Sequence, residues 1–205
     1  MNKSVLIVGA GERICPAEII KSFDFVIAAD GGYNLIKSIA EPIAVIGDFD
    51  SLPARKVPNR IPVLRFPKAK DETDVELALK YALLSAFQWI YITGVSGDRN
   101  DHFYVALSLL EKYHSKEIHI LTEREDIFIL NDKRKYVFEN MKNFQVSFFS
   151  VTAECGKIKS KGFEYEYRGA VLSRKNPIGV SNFIKEKIAE ITFEKGKMLC
   201  FLKIR

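Results

Sequence analysis

Aspartates punctuate four short stretches of this chain. Asp30 stands in Ala29-Asp30-Gly31-Gly32, and Asp48 and Asp50 in Gly47-Asp48-Phe49-Asp50-Ser51. Asp71 and Asp74 stand in Lys70-Asp71-Glu72-Thr73-Asp74, and Asp98 and Asp101 in Gly97-Asp98-Arg99-Asn100-Asp101-His102. Carboxylates are hard oxygen donors, and magnesium takes one or a few of them together with water and substrate phosphates. Asp48 and Asp50, two apart in a turn, can both face one ion. A turn alone accounts for many Gly-Asp pairs, and an aspartate such as Asp74 in a first helical turn also suits the helix dipole. Four acidic stretches together point to a magnesium-nucleotide site and phosphoryl-type transfer.

Glycines supply the other half of such a site. Gly31-Gly32 and Gly94…Gly97 let the backbone approach closely and turn its amides towards phosphate oxygens. Arg99 offers a planar donor fork to a phosphate, and His102 could either shuttle a proton or hold its loop by a hydrogen bond. Two familiar phosphate motifs are missing. Gly9-x-Gly11 opens like a dinucleotide fingerprint, but Ile14 stands where the third glycine belongs, and no Gly-x-x-x-x-Gly-Lys-Ser/Thr loop occurs.

The elements that must position these residues follow from periodicity. Short apolar, β-rich runs at 4–8, 25–28, 43–46, 62–66, 89–93, 118–121 and 127–130 predict strands covered on both faces. Val75, Leu79, Ala82, Leu83 and Ala86 form one helical stripe. Thr73 and Glu76 mark its start as a capping box, and a second helix is expected over 104–113. Strand–helix alternation predicts a mainly parallel α/β sheet, with ligands beyond the carboxyl ends of its strands. That is where the aspartates fall.

After about residue 133 the pattern becomes short alternating runs at 135–139, 144–150, 156–161, 163–168, 187–193 and 198–204, which predicts an all-β sandwich. The expected domains are therefore 1–133 and 134–205. Charge shifts at nearly the same point. Residues 1–134 carry 17 Lys/Arg and 19 Asp/Glu, and 135–205 carry 14 and 7, so −2 and +7 give the net +5. Lys157, Lys159 and Lys161 have strand spacing without interleaved aromatics, which argues for a solvated face and against nucleic acid. No apolar run approaches the ~20 residues of a membrane helix. The apolar run at 4–8 is too short for a signal peptide, and three scattered cysteines suit a reducing cytoplasm.

The four acidic stretches, with Tyr33-Asn34 after Gly32, resemble in order and spacing the thiamine pyrophosphokinase family. Gly162-Phe163-Glu164-Tyr165, Gly179-Val180-Ser181-Asn182 and Gly196-Lys197-Met198-Leu199 resemble that family's all-β domain, so the resemblance covers nearly the whole chain. It implies attack of the thiamine hydroxyl on the β-phosphorus of ATP, giving AMP and thiamine diphosphate. It also implies Mg²⁺ held by Asp48, Asp50 and Asp74, with Asp71 as a further ligand. Asp30, Gly31, Gly32, Asn34, Ser51, Thr73, Asp98, Arg99 and His102 would line the nucleotide side, and Asp101 would help position the substrates. Ser181, Asn182 and Tyr165 would contact thiamine, in a homodimer whose site lies near the subunit interface. Asp101 and Asp71 are the candidate general bases.

The chain departs from the family in two places. Phe183 follows Ser-Asn where many relatives have an acidic residue, and the single tryptophan, Trp89, sits in an expected core strand, leaving Tyr165, Tyr167 or Phe183 to stack on thiamine. Two other readings of the same carboxylates are a magnesium-dependent nucleotide phosphohydrolase and a non-catalytic nucleotide- or thiamine-binding module.

Overall fold

The near-continuous apolar runs become buried parallel strands. In the computed structural model, which describes residues 3–50, 53, 56–85 and 87–204, the chain forms two compact units that meet between Glu123 and Arg124. The first contains β1 (Ser4–Val8), α1 (Ala17–Lys21), β2 (Phe25–Ala29), α2 (Gly32–Ile36), β3 (Ala44–Gly47) and β4 (Val63–Arg65). It continues with α3 (Asp74–Leu84), β5 (Trp89–Thr93), α4 (Asn100–Lys112) and β6 (Ile118–Leu121).

These six strands pair in the order β6-β5-β1-β2-β3-β4, every pair parallel. The chain builds outward from β1 to β4 and then returns to the other side of β1 to lay down β5. The strand order therefore reverses between β1 and β5, and the loops leaving these two strands diverge. In open parallel sheets such a switch point is where a crevice forms. Val5, Leu6, Ile7, Ile27, Ala28, Val45 and Ile46 are fully buried, as strands with both faces covered require. β4 departs from that expectation. Val63 and Arg65 are exposed, because β4 is the edge of the parallel set.

α3 begins at the expected cap and packs over β1, β2 and β3. α4 starts four residues before the expected 104, at Asn100. Its first turn is polar and carries no apolar periodicity to reveal it. α1 and α2 are five residues each, too short for a 3.6-residue repeat to register.

The second unit holds β7 (Glu125–Asn131), β8 (Lys135–Glu139), β9 (Gln145–Ser150), β10 (Glu154–Lys161) and β11 (Arg168–Ser173), then β12 (Asn182–Phe183), β13 (Ile188–Thr192) and β14 (Lys197–Lys203). Strands in the order β11-β10-β13-β8 form one antiparallel layer, and β12-β9-β14-β7 are antiparallel neighbours in the other. Phe138, Phe148 and Phe163 meet edge-to-face between the layers, with centroids 5.8–6.3 Å apart, among Leu130, Ile158, Ile191 and Met198. The α/β part followed by an all-β sandwich is thus as expected.

Two details differ. The strand expected at 127–130 is β7, which pairs antiparallel with β14 and belongs to the second unit, so the units divide before residue 133. Its apolar run resembles a parallel strand because Ile127 and Leu130, which lie on opposite faces of the strand, are both fully buried. No strand runs over 163–168: Gly162, at φ 83°, turns the chain there, and its amide donates to Glu166 Oε1 at 3.0 Å.

Candidate active site

The carboxylates are placed by the backbone at the ends of β2 and β3. Asp30 caps β2 with its amide donating to the Ile46 carbonyl of β3 at 2.8 Å, and it adopts φ 42°, a left-handed conformation uncommon for a non-glycine residue. A Cβ on Gly47 would lie 2.9 Å from the Asp30 Cβ. Glycine at 47 is therefore what lets the two strand ends come together. The next turn is locked by its own polar groups. The Asp50 amide donates to Asp48 Oδ1 at 3.1 Å, while Phe49, at φ 62°, buries its ring beneath the Arg65 guanidinium. The result is that carboxylate oxygens of Asp30, Asp48 and Asp50 lie within 4.8 Å of one another.

α3 brings the fourth carboxylate. The Thr73 hydroxyl accepts from the Glu76 amide at 3.2 Å, forming the predicted N-cap. The capping box stops there. The Glu76 carboxylate turns instead to α4, accepting from Lys112 Nζ at 2.6 Å and from the Tyr113 hydroxyl at 3.1 Å. The cap sets Asp74 in the first turn, half-buried at the mouth of a cavity of about 410 Å³.

Asp30, Asp48, Asp50 and Asp74 line that cavity, and so do Thr73, Asp98, Arg99 and His102. It lies beyond the carboxyl ends of β1, β2, β3 and β5, at the switch point. The loop after β5 is tied to the loop after β1: the Gly11 amide donates to the Gly94 carbonyl at 2.7 Å, and the Arg13 amide to the Ser96 carbonyl at 3.2 Å. Gly31, Gly32 and Asn34 do not line it. A Cβ on Gly32 would collide with the Val8 carbonyl, so this glycine lets α2 begin against the end of β1. Asn34 is exposed on α2, and Asp71 is exposed ahead of α3. Ser51 lies outside the described residues.

The charges in the cavity are coupled through a lysine. Lys70 Nζ stands 3.0 Å from Asp48 Oδ2 and 3.1 Å from Asp74 Oδ1, while Lys68 Nζ stands 3.0 Å from Asp50 Oδ2. Burial pushes the Asp48 carboxyl up, but the Lys70 hydrogen bond, the Asp50 amide and the nearby lysine charges together hold it below its usual range. Asp74 goes the other way. Burial, reinforced by the charges of Asp48 and Asp30, raises it despite Lys70. At the start of α4, Arg99 grips Asp101 with two hydrogen bonds of 2.9 and 2.7 Å, which keep the Asp101 carboxyl far below the ordinary value. Asp101 is exposed beside the cavity rather than lining it.

The remaining expected site residues form a separate cluster in the second unit. Asn182 is buried, and all its side-chain bonds go to backbone. Its Oδ1 accepts from the amides of Tyr165 (3.0 Å) and Phe183 (2.8 Å), and its Nδ2 donates to the Tyr165 carbonyl at 2.8 Å. It is a bracket for the loop that leaves the Tyr165 side chain exposed. Ser181 adopts φ 59°, with its hydroxyl accepting from Gln145 Nε2 at 2.9 Å.

Two family models match this chain: "Thiamin pyrophosphokinase, catalytic domain" over residues 16–122, and "Thiamin pyrophosphokinase, vitamin B1 binding domain" over 135–198. The chain belongs to the thiamin pyrophosphokinase family. The thiamine pyrophosphokinase of Bacillus subtilis is 27% identical over 175 residues, 82% of each chain. Crystal structures of the B. subtilis enzyme and of a thiamin pyrophosphokinase from Geobacillus thermodenitrificans both superpose with a TM-score of 0.88. They cover 98% of this chain and 99% and 98% of their own, at 23% and 24% identity, a likeness of fold.

Within this thiamin pyrophosphokinase fold, several cavity residues carry no motif that sequence reading could catch. Ala10 and Gly11 line the cavity, although Gly9-x-Gly11 reads only as a failed dinucleotide fingerprint. Val75, Val95, Val105 and Leu109 give the cavity an apolar wall. They come from two helices and a loop, and their meeting is a property of the fold. Lys70 sits inside a quoted motif, yet nothing in its spacing marks it as the partner of two aspartates.

Proposed function

We propose that this chain is an ATP-dependent thiamine pyrophosphokinase, which transfers the pyrophosphoryl group of ATP to the thiamine hydroxyl and releases AMP. A bond forms between the hydroxyl oxygen and the β-phosphorus. The bond from that phosphorus to the oxygen bridging the α-phosphate breaks, its electron pair stays with AMP, and the hydroxyl proton is released. The observation that carries this reading is the convergence of Asp30, Asp48 and Asp50 within 4.8 Å at the switch point of a parallel sheet. Family membership supports it over residues 16–122 and 135–198.

Magnesium suits this donor set. Three carboxylates offer hard oxygens, and the Lys70 ammonium already places a positive charge between Asp48 and Asp74, which supports this reading. Asp48, Asp50 and Asp74 would hold the ion, with Asp30 adjoining them. Bound magnesium would offset phosphate charge, the main demand of such transfers. The clustering brings in Asp30, whereas the sequence reading named Asp71, which is exposed. The exposed Arg99 fork at the cavity rim suits a phosphate once it exchanges Asp101 for one, and the apolar wall suits a nucleotide base.

For thiamine we propose the second-unit cluster, with Asn182 shaping the loop and Tyr165 and Ser181 presenting side chains. Ile178 and Val180 are exposed beside Ser181, which supports a homodimer formed through this part of the molecule. Among the described residues no helix is long and apolar enough to cross a membrane. With three buried free cysteines, this supports a cytoplasmic protein whose partners are ATP and thiamine.

Incubation with ATP, Mg²⁺ and thiamine, followed by identification of both products, tests the reaction. AMP with thiamine diphosphate is expected. ADP with thiamine monophosphate would refute pyrophosphoryl transfer, and phosphate release without any need for thiamine would make the protein a hydrolase.

A further inference from the structure

We propose that Lys70 is a built-in occupant of the cation seat, holding Asp48 and Asp74 in the free protein and leaving when a divalent ion enters. This rests on the magnesium reading above. The lysine is well placed for the role. Its ammonium contacts one oxygen of each aspartate at 3.0 and 3.1 Å, and the Lys70 and Asp48 side chains are each only 12% exposed. Shielded from water, this ion pair is screened less than one at the surface. Without it, Asp48 and Asp74 would lose the cation they share, and like carboxylates at such range resist joint ionisation.

Lys68 provides an internal contrast. It stands two residues earlier and pairs with Asp50 at the same 3.0 Å, but its side chain is 77% exposed and that of Asp50 47%. An exposed pair of this kind contributes little. The 68–70 segment thus carries one lysine that closes the acidic seat and one that decorates its rim.

Lys70 has a flexible four-carbon stem with a mobile ammonium. Once displaced, it is a free cation at the edge of a cavity suited to polyphosphate. Its departure is therefore costly when a metal arrives alone and compensated when phosphates arrive as well. Lys70 is in this sense a positioning residue: it couples metal binding to nucleotide binding and keeps the aspartates ordered until the ion arrives.

The test is Mn²⁺ binding, followed by paramagnetic resonance in the absence of ATP and thiamine. Lys70→Gln is expected to bind Mn²⁺ about tenfold more tightly than the wild type, equivalent to about 1.4 kcal/mol, and Lys68→Gln within about twofold. Equal or weaker binding by Lys70→Gln overturns the proposal. So does an equal gain in Lys68→Gln, which would make the effect a general field. So does failure of every variant to bind Mn²⁺. Should Lys70→Gln not fold, the wild type decides alone. Acetic anhydride labelling of Lys70, read by mass spectrometry, should rise several-fold on adding Mn²⁺ while that of Lys80 stays constant; no rise at Lys70 overturns the proposal. Neither measurement uses the substrates, so the product assay above succeeds or fails independently.

Discussion

The carbonyl oxygen of Gly94 stands 2.5 Å from the point a Cβ on Gly9 would occupy. The two loops at the switch point therefore touch backbone to backbone, with the Gly9 amide also donating to the Thr93 carbonyl at 2.8 Å. Gly9→Ala must push the loops apart at the inner wall of the cavity. Overpacking of this kind costs about 1–3 kcal/mol. Urea denaturation should show that loss, and the KM for ATP should rise. A variant as stable and active as the wild type would mean the contact gives way without consequence.

Asp48→Asn and Asp50→Asn keep the size of each side chain and remove the charge that a divalent ion needs. Changes to groups that merely support metal ligands typically cost 10–100-fold, so direct ligands should cost at least about 100-fold in kcat/KM. The circular dichroism spectrum should be unchanged. Asp71→Asn, by contrast, alters an exposed residue outside the cavity lining and should retain activity within about threefold, smaller than the ligand effects. Equal losses at 48 and 71 would place the ion elsewhere.

The Thr73 cap is worth a separate measurement because it holds Asp74 in place. Removing such a cap costs about 1 kcal/mol. Thr73→Ala should lose that much stability and Thr73→Ser much less, since serine keeps the hydroxyl that accepts from the Glu76 amide. Thermal unfolding of the two variants side by side separates the cap from general packing.

What could be read from the residues alone depended on how local the cause was. The Gly47–Asp50 turn and the Thr73 cap are decided within a few residues, so both the aspartates and the start of α3 were legible. The partnership of Gly9 with Gly94 spans eighty-five positions and becomes visible only when β5 is laid down beside β1. Lys70 was hidden for a similar reason, because its partner Asp48 lies across the 48–70 connection. Apolar content also misleads where topology decides the outcome: β7 has the composition of a strand in the parallel sheet, but it pairs antiparallel with β14. Glu76 was expected to reach back to its own cap, and a longer-range ion pair with Lys112 claimed it instead.

Asn182 makes a prediction that separates the two halves of the reaction. Its side chain satisfies three backbone groups around Tyr165 and Phe183 in a buried place. Asn182→Ala leaves them without those partners, at about 1–3 kcal/mol. If the loop serves thiamine, the KM for thiamine should rise while the KM for ATP stays near its wild-type value, which steady-state kinetics with each substrate varied will show. A rise in both would mean that the bracket supports the whole fold.

Asp74 should act oppositely on stability and activity. Its carboxyl is raised by burial and by the charges of Asp48 and Asp30, so the folded protein holds that proton more tightly than the unfolded chain does. The stabilising contribution is therefore full below the unfolded value and is lost as pH rises through the folded one. Above that folded value, metal-free protein carries Asp74 ionised at a cost. Asp74→Asn removes that cost and keeps the shape. In EDTA at pH 7 the variant should melt at a higher temperature than the wild type, and the difference should shrink towards zero as pH falls below the usual carboxylate range. Added Mg²⁺ should then stabilise the wild type more than the variant, because ligand binding adds stability only where the ligand is held. The variant should also lose most of its activity, a cost common to residues held under electrostatic strain for function. A lower melting temperature for Asp74→Asn at pH 7 in EDTA would show that its ion pair with Lys70 outweighs the burial and like-charge repulsion.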